Sequence, residues 1–262
     1  MLSYQHIYHS GSIADVHKHI ILSKLLSYLT KDKTQICYYE THAGRGIYDL
    51  TSKESQKTGE AERGISEILR IGAIKDDEFF TLLKTIKKEY GNNFYPGSPL
   101  IAKKLLSPKD KIFLMELHPQ EILHLKKNLK NVQIMQQDGY EGVMNLIPPY
   151  YKKGLILIDP SYEVKTEYMR VAKFIKTALA KWQDATIMIW YPILEAGNHF
   201  PMLSDINSQN YKNVYSTQLS YQNSKSFRML GTGVVVINTP KEVRDALGLM
   251  ERQFAEFIKG MA

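Results

Sequence analysis

The sequence predicts an α/β fold in which a parallel sheet is flanked by helices and carries a small inserted helical subdomain. Six short apolar runs, rich in β-branched or aromatic residues, alternate with longer helical patterns along the 262 residues. Runs that are apolar without strict alternation are typical of strands covered on both faces, as in a parallel sheet. The interval between the first two runs is far longer than the roughly 30 residues that a βαβ unit needs, which indicates an insertion.

The predicted strands and helices follow one another along the chain. The strands are Ile36–Tyr39, Ile112–Leu117, Val132–Met135, Leu155–Ile158, Ile187–Tyr191 and Gly233–Ile237. The helices of the core are Ala14–Leu29, Glu121–Leu129, Thr166–Trp182 and Lys241–Lys259. Because strands and helices alternate, the sequence predicts a doubly wound sheet.

The insertion is predicted at residues 51–97, within a core domain formed by residues 1–50 and 98–262. Two helical patterns, Ala61–Ile71 and Asp77–Tyr90, lie inside it. Its eight acidic and eight basic residues balance, so the net charge of +7 falls on the core domain. The segment is interpreted either as extra packing or as a lid or substrate-recognition arm.

Composition narrows the class of protein. Hydrophobic residues make up 44% and charged residues 23%, which excludes wholesale disorder. The excess of Lys and Arg favours a polyanionic partner such as nucleic acid. A single cysteine, Cys37, excludes an internal disulfide, and no apolar run approaches the ~18 residues that cross a bilayer. We therefore expect a soluble, cytoplasmic protein that makes no membrane contact.

Candidate ligand-binding residues follow the first three strands, where open α/β sheets bind their ligands. The Gly44–Gly46 turn follows the first strand, but Asp49 stands where a dinucleotide fingerprint needs its third glycine, which disfavours NAD. Glu116 ends the second strand and is placed either to accept hydrogen bonds from ribose hydroxyls or simply to be solvated. Asp138 and Gly139 follow the third strand, where they hold an adenine amine or form an Asx turn.

The fourth strand carries the most informative signal. Four aliphatic residues are followed by Asp159, Pro160, Ser161 and Tyr162. A carboxylate beside a backbone carbonyl provides two acceptors, and the tyrosine provides a flat face, so the set suits a planar ring that bears an amino group. The alternative is a strand that ends in a proline turn with Asp159 as a helix N-cap.

These segments resemble the class I S-adenosylmethionine-dependent methyltransferases, in particular the amino-methylating branch with an Asp-Pro-Pro-Tyr motif. Within that class the chain is similar to the bacterial RlmJ-type enzymes from residue 2 to about residue 240. The matching segments are Leu2-Ser3-Tyr4-Gln5-His6, His9-Ser10-Gly11, Ala14-Asp15-Val16, Lys18-His19, Thr41–Gly44, Tyr95–Pro99, Glu116–Pro119, Gly154–Pro160 and Trp190–Pro192.

The resemblance implies a Rossmann-like fold with an inserted helical subdomain, S-adenosylmethionine as cofactor and N6 of one adenine in 23S ribosomal RNA as target. The implied cofactor-binding residues are Lys18, His19, His42, Ser98, Glu116, Asp138, Gly139 and Asp159. Asp159, Pro160 and Tyr162 are the implied catalytic residues, and Tyr4 and Tyr162 are implied to contact the adenine. Ser161 departs from the family, which has a second proline there, and puts the loop geometry in doubt.

Two other functions remain open from the sequence. The Asp-Pro-x-Tyr chemistry does not distinguish the sugar, so a DNA adenine-N6 methyltransferase is the first alternative; an inactive RNA-binding relative is the second. We expect a monomer that acts on protein-free or early-assembly 23S RNA without an obligate protein partner. Lysines 103, 104, 126, 127 and 130 are candidate phosphate contacts. No metal site is expected, because His17 and His19 point apart on a helix.

Overall fold

The structure is a computed structural model that describes residues 4–75, 77–151, 153–221 and 229–261. The strands are β1 (Cys37–Glu40), β2 (Ile47–Asp49), β3 (Phe94–Pro96), β4 (Lys111–Met115), β5 (Gln133–Met135), β6 (Gly154–Ile158), β7 (Thr186–Leu194), β8 (Tyr215–Ser220) and β9 (Met229–Ile237). The helices are α1 (Ile13–Thr30), α2 (Lys53–Thr58), α3 (Glu67–Ile71), α4 (Asp77–Tyr90), α5 (Ser98–Leu105), α6 (Pro119–Asn128), α7 (Gly139–Leu146), α8 (Glu167–Lys181), α9 (His199–Ser208) and α10 (Lys241–Lys259). A 3-10 turn at His6–Tyr8 and a π-helical turn at Glu62–Ser66 complete the regular structure of these ranges.

Seven of the strands form one sheet in the order β5-β4-β1-β6-β7-β9-β8. The pairs from β5 to β7 are parallel, whereas β9 runs antiparallel to both β7 and β8. The predicted α/β sheet and its six apolar strands are therefore confirmed. The last apolar run is the exception to the predicted parallel order: as β9 it lies between β7 and β8 and is antiparallel to both.

Both faces of the sheet are buried, which explains the continuous apolar runs. On β1, Tyr38 faces a cluster that includes α1, α4, α5 and α10, and Tyr39 faces the cluster of α7, α8 and α9. On β6, Leu155 and Leu157 belong to the first cluster, and Ile156 and Ile158 belong to the second. Alternate residues of one strand thus fill two cores.

The predicted insertion contains the expected helices, and β2 and β3 bracket it as a two-stranded antiparallel ladder. The side chains that the structure describes there do not form a core of their own. Phe79 and Leu83 of α4 and Ile65 of the π-helical turn join the same cluster as α1. Gly64 interrupts the helix because its backbone passes against Gly11, whose carbonyl oxygen would lie 2.2 Å from a Cβ atom at residue 64. The boundaries 51–97 stay a prediction.

Helix α1 is buried on nearly every side, because the insertion, α5 and α10 all pack against it. Its first turn is capped by Ser12, whose hydroxyl accepts a hydrogen bond from the Asp15 amide. The cap places Asp15 and Lys18 on consecutive turns of the same face. These charged side chains point toward the carboxyl ends of the central strands, where the candidate site lies.

Candidate active site

A cavity of about 680 Å³ lies at the carboxyl ends of β1, β4 and β6. It is lined by Tyr4, His6, Lys18, His19, His42, Ala43, Gly44, Tyr48, Gly97, Ser98, Glu116, His118, Glu121, Asp159 and Ser161. Seven of the residues predicted from the sequence are therefore brought together here: Tyr4, Lys18, His19, His42, Ser98, Glu116 and Asp159.

The carboxylate of Glu116 joins two loops at the floor of the cavity. One oxygen accepts a hydrogen bond from the Gly44 amide at 2.7 Å, and the other accepts one from the His118 amide at 2.7 Å. Burial raises the pKa of Glu116 above its ordinary value, although both amide hydrogen bonds oppose that shift. Gly44 has a φ of +60°, and a Cβ atom there would lie 2.5 Å from the Tyr48 hydroxyl. Only glycine fits this turn.

Asp159 follows β6 and faces the cavity. Its Oδ2 atom accepts a hydrogen bond from the ammonium of Lys18 at 2.6 Å, while Oδ1 accepts none from the residues that the structure describes. Lys18 is 3% exposed. Burial alone would lower the pKa of Lys18, but the carboxylates of Asp15 and Asp159 raise it above its ordinary value. The ammonium is therefore a permanent charge shared by two carboxylates.

The N-terminal segment adds two polar residues that the sequence analysis did not assign to the site, His6 and Asp15. The Tyr4 hydroxyl lies 2.9 Å from Nδ1 of His6, and Nε2 of His6 lies 2.8 Å from Oδ2 of Asp15. Asp15 is 2% exposed, and its Oδ1 atom is 3.0 Å from Lys18. Both residues lie inside segments that resemble the family, and this resemblance was the signal that could have assigned them to the site. A continuous chain of contacts thus runs from Tyr4 to Asp159.

The other polar residues of the cavity are held in fixed orientations. His19 lies 2.9 Å from the Tyr95 hydroxyl, and burial lowers the pKa of His19 to about 3, so its ring is neutral. Burial also lowers the pKa of His42, whose Nδ1 atom is 2.8 Å from the Thr41 hydroxyl. Ser98 donates a hydrogen bond to Glu40, a fully buried carboxyl at the end of β1.

Four predicted site residues do not line this cavity: Asp138, Gly139, Pro160 and Tyr162. Asp138 caps α7 by accepting hydrogen bonds from the Tyr140 and Glu141 amides, and its other oxygen pairs with Arg170 at 2.7 Å. A Cβ atom at Gly139 would lie 1.9 Å from the Thr41 carbonyl oxygen, so this glycine allows α7 to approach the loop after β1. Their roles as cofactor ligands stay predictions.

Tyr162 packs into the protein. Its side chain is 5% exposed, and its hydroxyl donates a hydrogen bond to the Trp190 carbonyl oxygen at 2.8 Å. Its φ of +54° lies in the left-handed region, which turns the chain sharply after Ser161. Tyr162 lines a second, more open cavity of about 1060 Å³, together with Glu163, Lys165, Leu194, Glu195, Ala196 and Asn198. The stacking role predicted for it stays a prediction.

The five candidate phosphate-binding lysines lie at the opposite edge of the sheet. Helices α5 and α6 both start near the carboxyl ends of the parallel strands and end near their amino ends, where β4 and β5 begin. The lysines lie in the last turns of these helices or just after them. Lys103 donates to the Asn131 carbonyl oxygen, and Lys104 pairs with Glu89. Contact with an RNA that enters the cavity is therefore disfavoured for these lysines.

The described ranges hold no cluster of three or more histidine, cysteine or acidic side chains suited to a metal ion. Nor does any helix within them have the length and apolarity to span a membrane.

The sheet order, the glycine turn after β1, the acid after β4 and the Asp-Pro-Ser-Tyr loop after β6 together define a Rossmann-like class I methyltransferase. The chain belongs to the family described as Ribosomal RNA large subunit methyltransferase D, RlmJ, whose model matches residues 33–259. The resemblance found in the sequence is thus confirmed, and so is the assignment of the chain as an rRNA methyltransferase.

Individual relatives agree with this assignment. The chain is 36% identical over 248 residues to "Ribosomal RNA large subunit methyltransferase J" of Haemophilus influenzae, covering 92% of this chain and 88% of the relative. It is 32% identical over 246 residues to the protein of the same name from Escherichia coli K12, with the same coverage. The crystal structure of protein LPL1258 from Legionella pneumophila superposes with a TM-score of 0.87 at 34% identity, covering 95% of this chain and 94% of that one.

Proposed function

We propose that this protein transfers a methyl group from S-adenosylmethionine to N6 of one adenine in 23S ribosomal RNA. The observation that carries the proposal is the Asp159 carboxylate, which faces the cavity beside Glu116 and keeps Oδ1 available after Oδ2 has bound Lys18. Membership of the family supports ribosomal RNA as the substrate class, as do the names of the two relatives.

The residues of the cavity fit S-adenosylmethionine. The carboxylate of Glu116 is placed to accept hydrogen bonds from ribose hydroxyls, because it directly follows β4, the strand beside β1 in the sheet. The carboxylate of Asp159 complements a sulfonium cation, and Ser98 and the neutral rings of His19 and His42 offer further polar contacts. When bound, this group supplies a methyl that its positively charged sulfur has already activated.

The chain then has to orient the adenine amine. The N6 lone pair is delocalised into the ring, so the amine is a weak nucleophile. Asp159 Oδ1 and the Pro160 carbonyl would accept its two hydrogens and draw the nitrogen toward tetrahedral geometry. Reacting atoms must be held about 3–3.5 Å apart and in line. In this mechanism Asp159 does not act as a strong base but stabilises the positive charge that develops on N6 by hydrogen bonding and electrostatics. The methylated nitrogen is acidic and then releases one proton to water.

The target base must leave its stack to reach the cavity, or be unpaired already. Tyr4 is the stacking candidate that lines the cavity. Its ring is parallel to that of His9, with centroids 5.6 Å apart and an interplanar angle of 8°, and its hydroxyl is anchored by His6. We propose that the other face of Tyr4 receives the adenine. An early-assembly RNA, in which the base is still accessible, is the expected substrate of a monomeric enzyme.

The test is methylation with labelled S-adenosylmethionine of protein-free 23S RNA, of assembled large subunits and of DNA of the same sequence, followed by mapping of the modified base. Label on N6 of one adenine in the protein-free RNA is the expected result. Equal or greater transfer to DNA would favour the DNA methyltransferase. The absence of transfer to any substrate, together with no heat of S-adenosylmethionine binding in calorimetry, would favour the inactive RNA-binding relative.

A further inference from the structure

We propose that Asp15 is a positioning residue for methyl transfer. By sharing the Lys18 ammonium with Asp159, it limits how far that ammonium compensates the charge of Asp159. This inference rests on the proposed function. Asp15 does not line the cavity, yet it contacts two residues that do, His6 and Lys18. It is therefore placed to act through them and not on the substrate.

The first argument is the division of the Lys18 charge. The ammonium lies 3.0 Å from Asp15 Oδ1 and 2.6 Å from Asp159 Oδ2. Asp15 and Lys18 are almost fully buried, so water does little to screen these contacts. Because Lys18 is shared by two carboxylates, it does not compensate the charge of Asp159 alone. A carboxylate that keeps part of its charge stabilises the positive charge that develops on an amine nitrogen as it is methylated.

The second argument is the orientation of the N-terminal segment. A carboxylate only accepts hydrogen bonds, so Nε2 of His6 carries the proton that Asp15 binds. Nδ1 of the same ring then meets the Tyr4 hydroxyl. Asp15 also accepts a hydrogen bond from the Gly11 amide at 3.0 Å, which fixes the carboxylate itself. One buried carboxylate thus fixes the position of Lys18 directly and that of Tyr4 through His6.

The electrostatics show that Asp15 is held in its charged form. Burial alone would raise the pKa of Asp15, but the neighbouring His6 and the Lys18 ammonium lower it well below its ordinary value. Replacement of Asp15 by Asn keeps the shape of the side chain and removes the charge. The Lys18 ammonium would then be compensated by Asp159 alone, and Asp159 would become a weaker acceptor for the adenine amine.

The experiment compares D15N with D32N. Asp32 pairs with Lys153 at 2.6 Å, so D32N removes another lysine–carboxylate contact, and neither residue lines the cavity. For D15N we expect kcat on 23S RNA to fall about tenfold or more, with the Kd for S-adenosylmethionine changed by less than about threefold. For D32N we expect kcat within about threefold of the wild-type value.

A double-variant cycle separates positioning from general loss of structure. If Asp15 acts through Lys18, the variant D15N/K18Q loses little more activity than K18Q alone, because coupled residues are not additive. D15E, which retains the charge, is expected to recover part of the activity and covers the case in which D15N folds poorly. Additive losses in the cycle, or a kcat for D15N close to that of the wild type, would overturn the proposal.

A spectroscopic measurement keeps this inference distinct from the proposed function. The ¹⁵N chemical shifts of the His6 ring report its protonated nitrogen without any turnover. We expect Nε2 to be protonated in the wild type and the ring signals to move in D15N but not in D32N. Should the wild type fail to methylate RNA, the proposed function fails, whereas unchanged His6 signals in D15N contradict the role of Asp15 itself.

Discussion

The ammonium of Lys18 lies 2.6 Å from Oδ2 of Asp159, although the two residues are 141 positions apart in the sequence. The contact joins the first helix to the loop after the central strand β6. Asp159 is the more exposed partner, at 13%, and it faces the cavity. The ion pair therefore fixes the direction of the one carboxylate that is proposed to bind the target amine.

Replacement of Asp159 by Asn is expected to lower kcat by about a hundredfold or more, because no carboxylate would then stabilise the positive charge that develops on the amine. The variant is expected to fold, since Lys18 keeps Asp15 as a partner. Transfer of labelled methyl to RNA measures the loss, and calorimetry is expected to show that S-adenosylmethionine still binds. Full activity of D159N would refute the assigned role.

Replacement of Glu116 by Gln is expected to weaken S-adenosylmethionine binding by about tenfold or more. Both carboxylate oxygens face backbone N–H donors, from Gly44 and His118, and an amide offers only one oxygen to them. The matched control is E141Q, on the exposed face of α7. Calorimetric titration measures both variants; equal affinities would contradict a cofactor-binding role for Glu116.

Glu40 is expected to make stability fall as pH rises. Burial raises the pKa of Glu40 from 4.5 to about 8, so between these values the folded chain binds a proton that the unfolded chain has released. Stability that depends on the protonated carboxyl is present below about pH 4.5 and is lost as pH rises through about 8. We expect E40Q to lack this decrease, which amounts to a few kcal/mol at most. Denaturant titrations at several pH values are the measurement, and parallel curves for the two proteins would speak against it.

Replacement of Gly139 by Ala is expected to destabilise the fold by roughly 2–3 kcal/mol, because the new methyl group would overlap the Thr41 carbonyl oxygen. Gly248 in α10 is the control, since nothing lies within 4 Å of a Cβ atom there. G248A is expected to stabilise the protein by about 0.5–1 kcal/mol through helix propensity. Thermal unfolding measures both, and an unchanged Tm for G139A would be inconsistent with the close approach.

Replacement of Lys126, Lys127 and Lys130 by Gln is expected to leave KM for 23S RNA within about twofold to threefold of the wild-type value at moderate salt. These lysines lie at the amino edge of the sheet, away from the cavity. Lys165 beside the second cavity serves for comparison, because K165Q removes a charge at the carboxyl edge. A large increase in KM for the triple variant alone would indicate that RNA reaches the far edge.

Local sequence patterns predicted the strands whose two faces are both buried, and the carboxylates that follow them. Glu116 and Asp159 are recognisable because each comes directly after an apolar run. β8 was missed because it is an edge strand of mostly polar residues, in which only Thr217 and Leu219 are buried. The direction of β9 was not predictable either, because an apolar run gives no sign of the sense in which its strand pairs.

The parts of the site that sequence reasoning missed depend on tertiary contacts. His6 and Asp15 are nine positions apart, and only the turn that packs against Gly64 brings their side chains together. The inward direction of Tyr162 follows from a positive φ that the sequence does not announce. Asp138 has its oxygens engaged by a helix start and by Arg170, a partner 32 positions away.

Helix α1 carries Lys18 and is clamped between the insertion and the sheet, with α4 and the π-helical turn packed along it. If the insertion moved as an arm, helix α1 would move with it and the Lys18 ammonium would separate from Asp159. Grafting residues 51–97 from a distant relative would consequently change the alignment of the reacting groups, even though none of the described side chains of α4 lines the cavity.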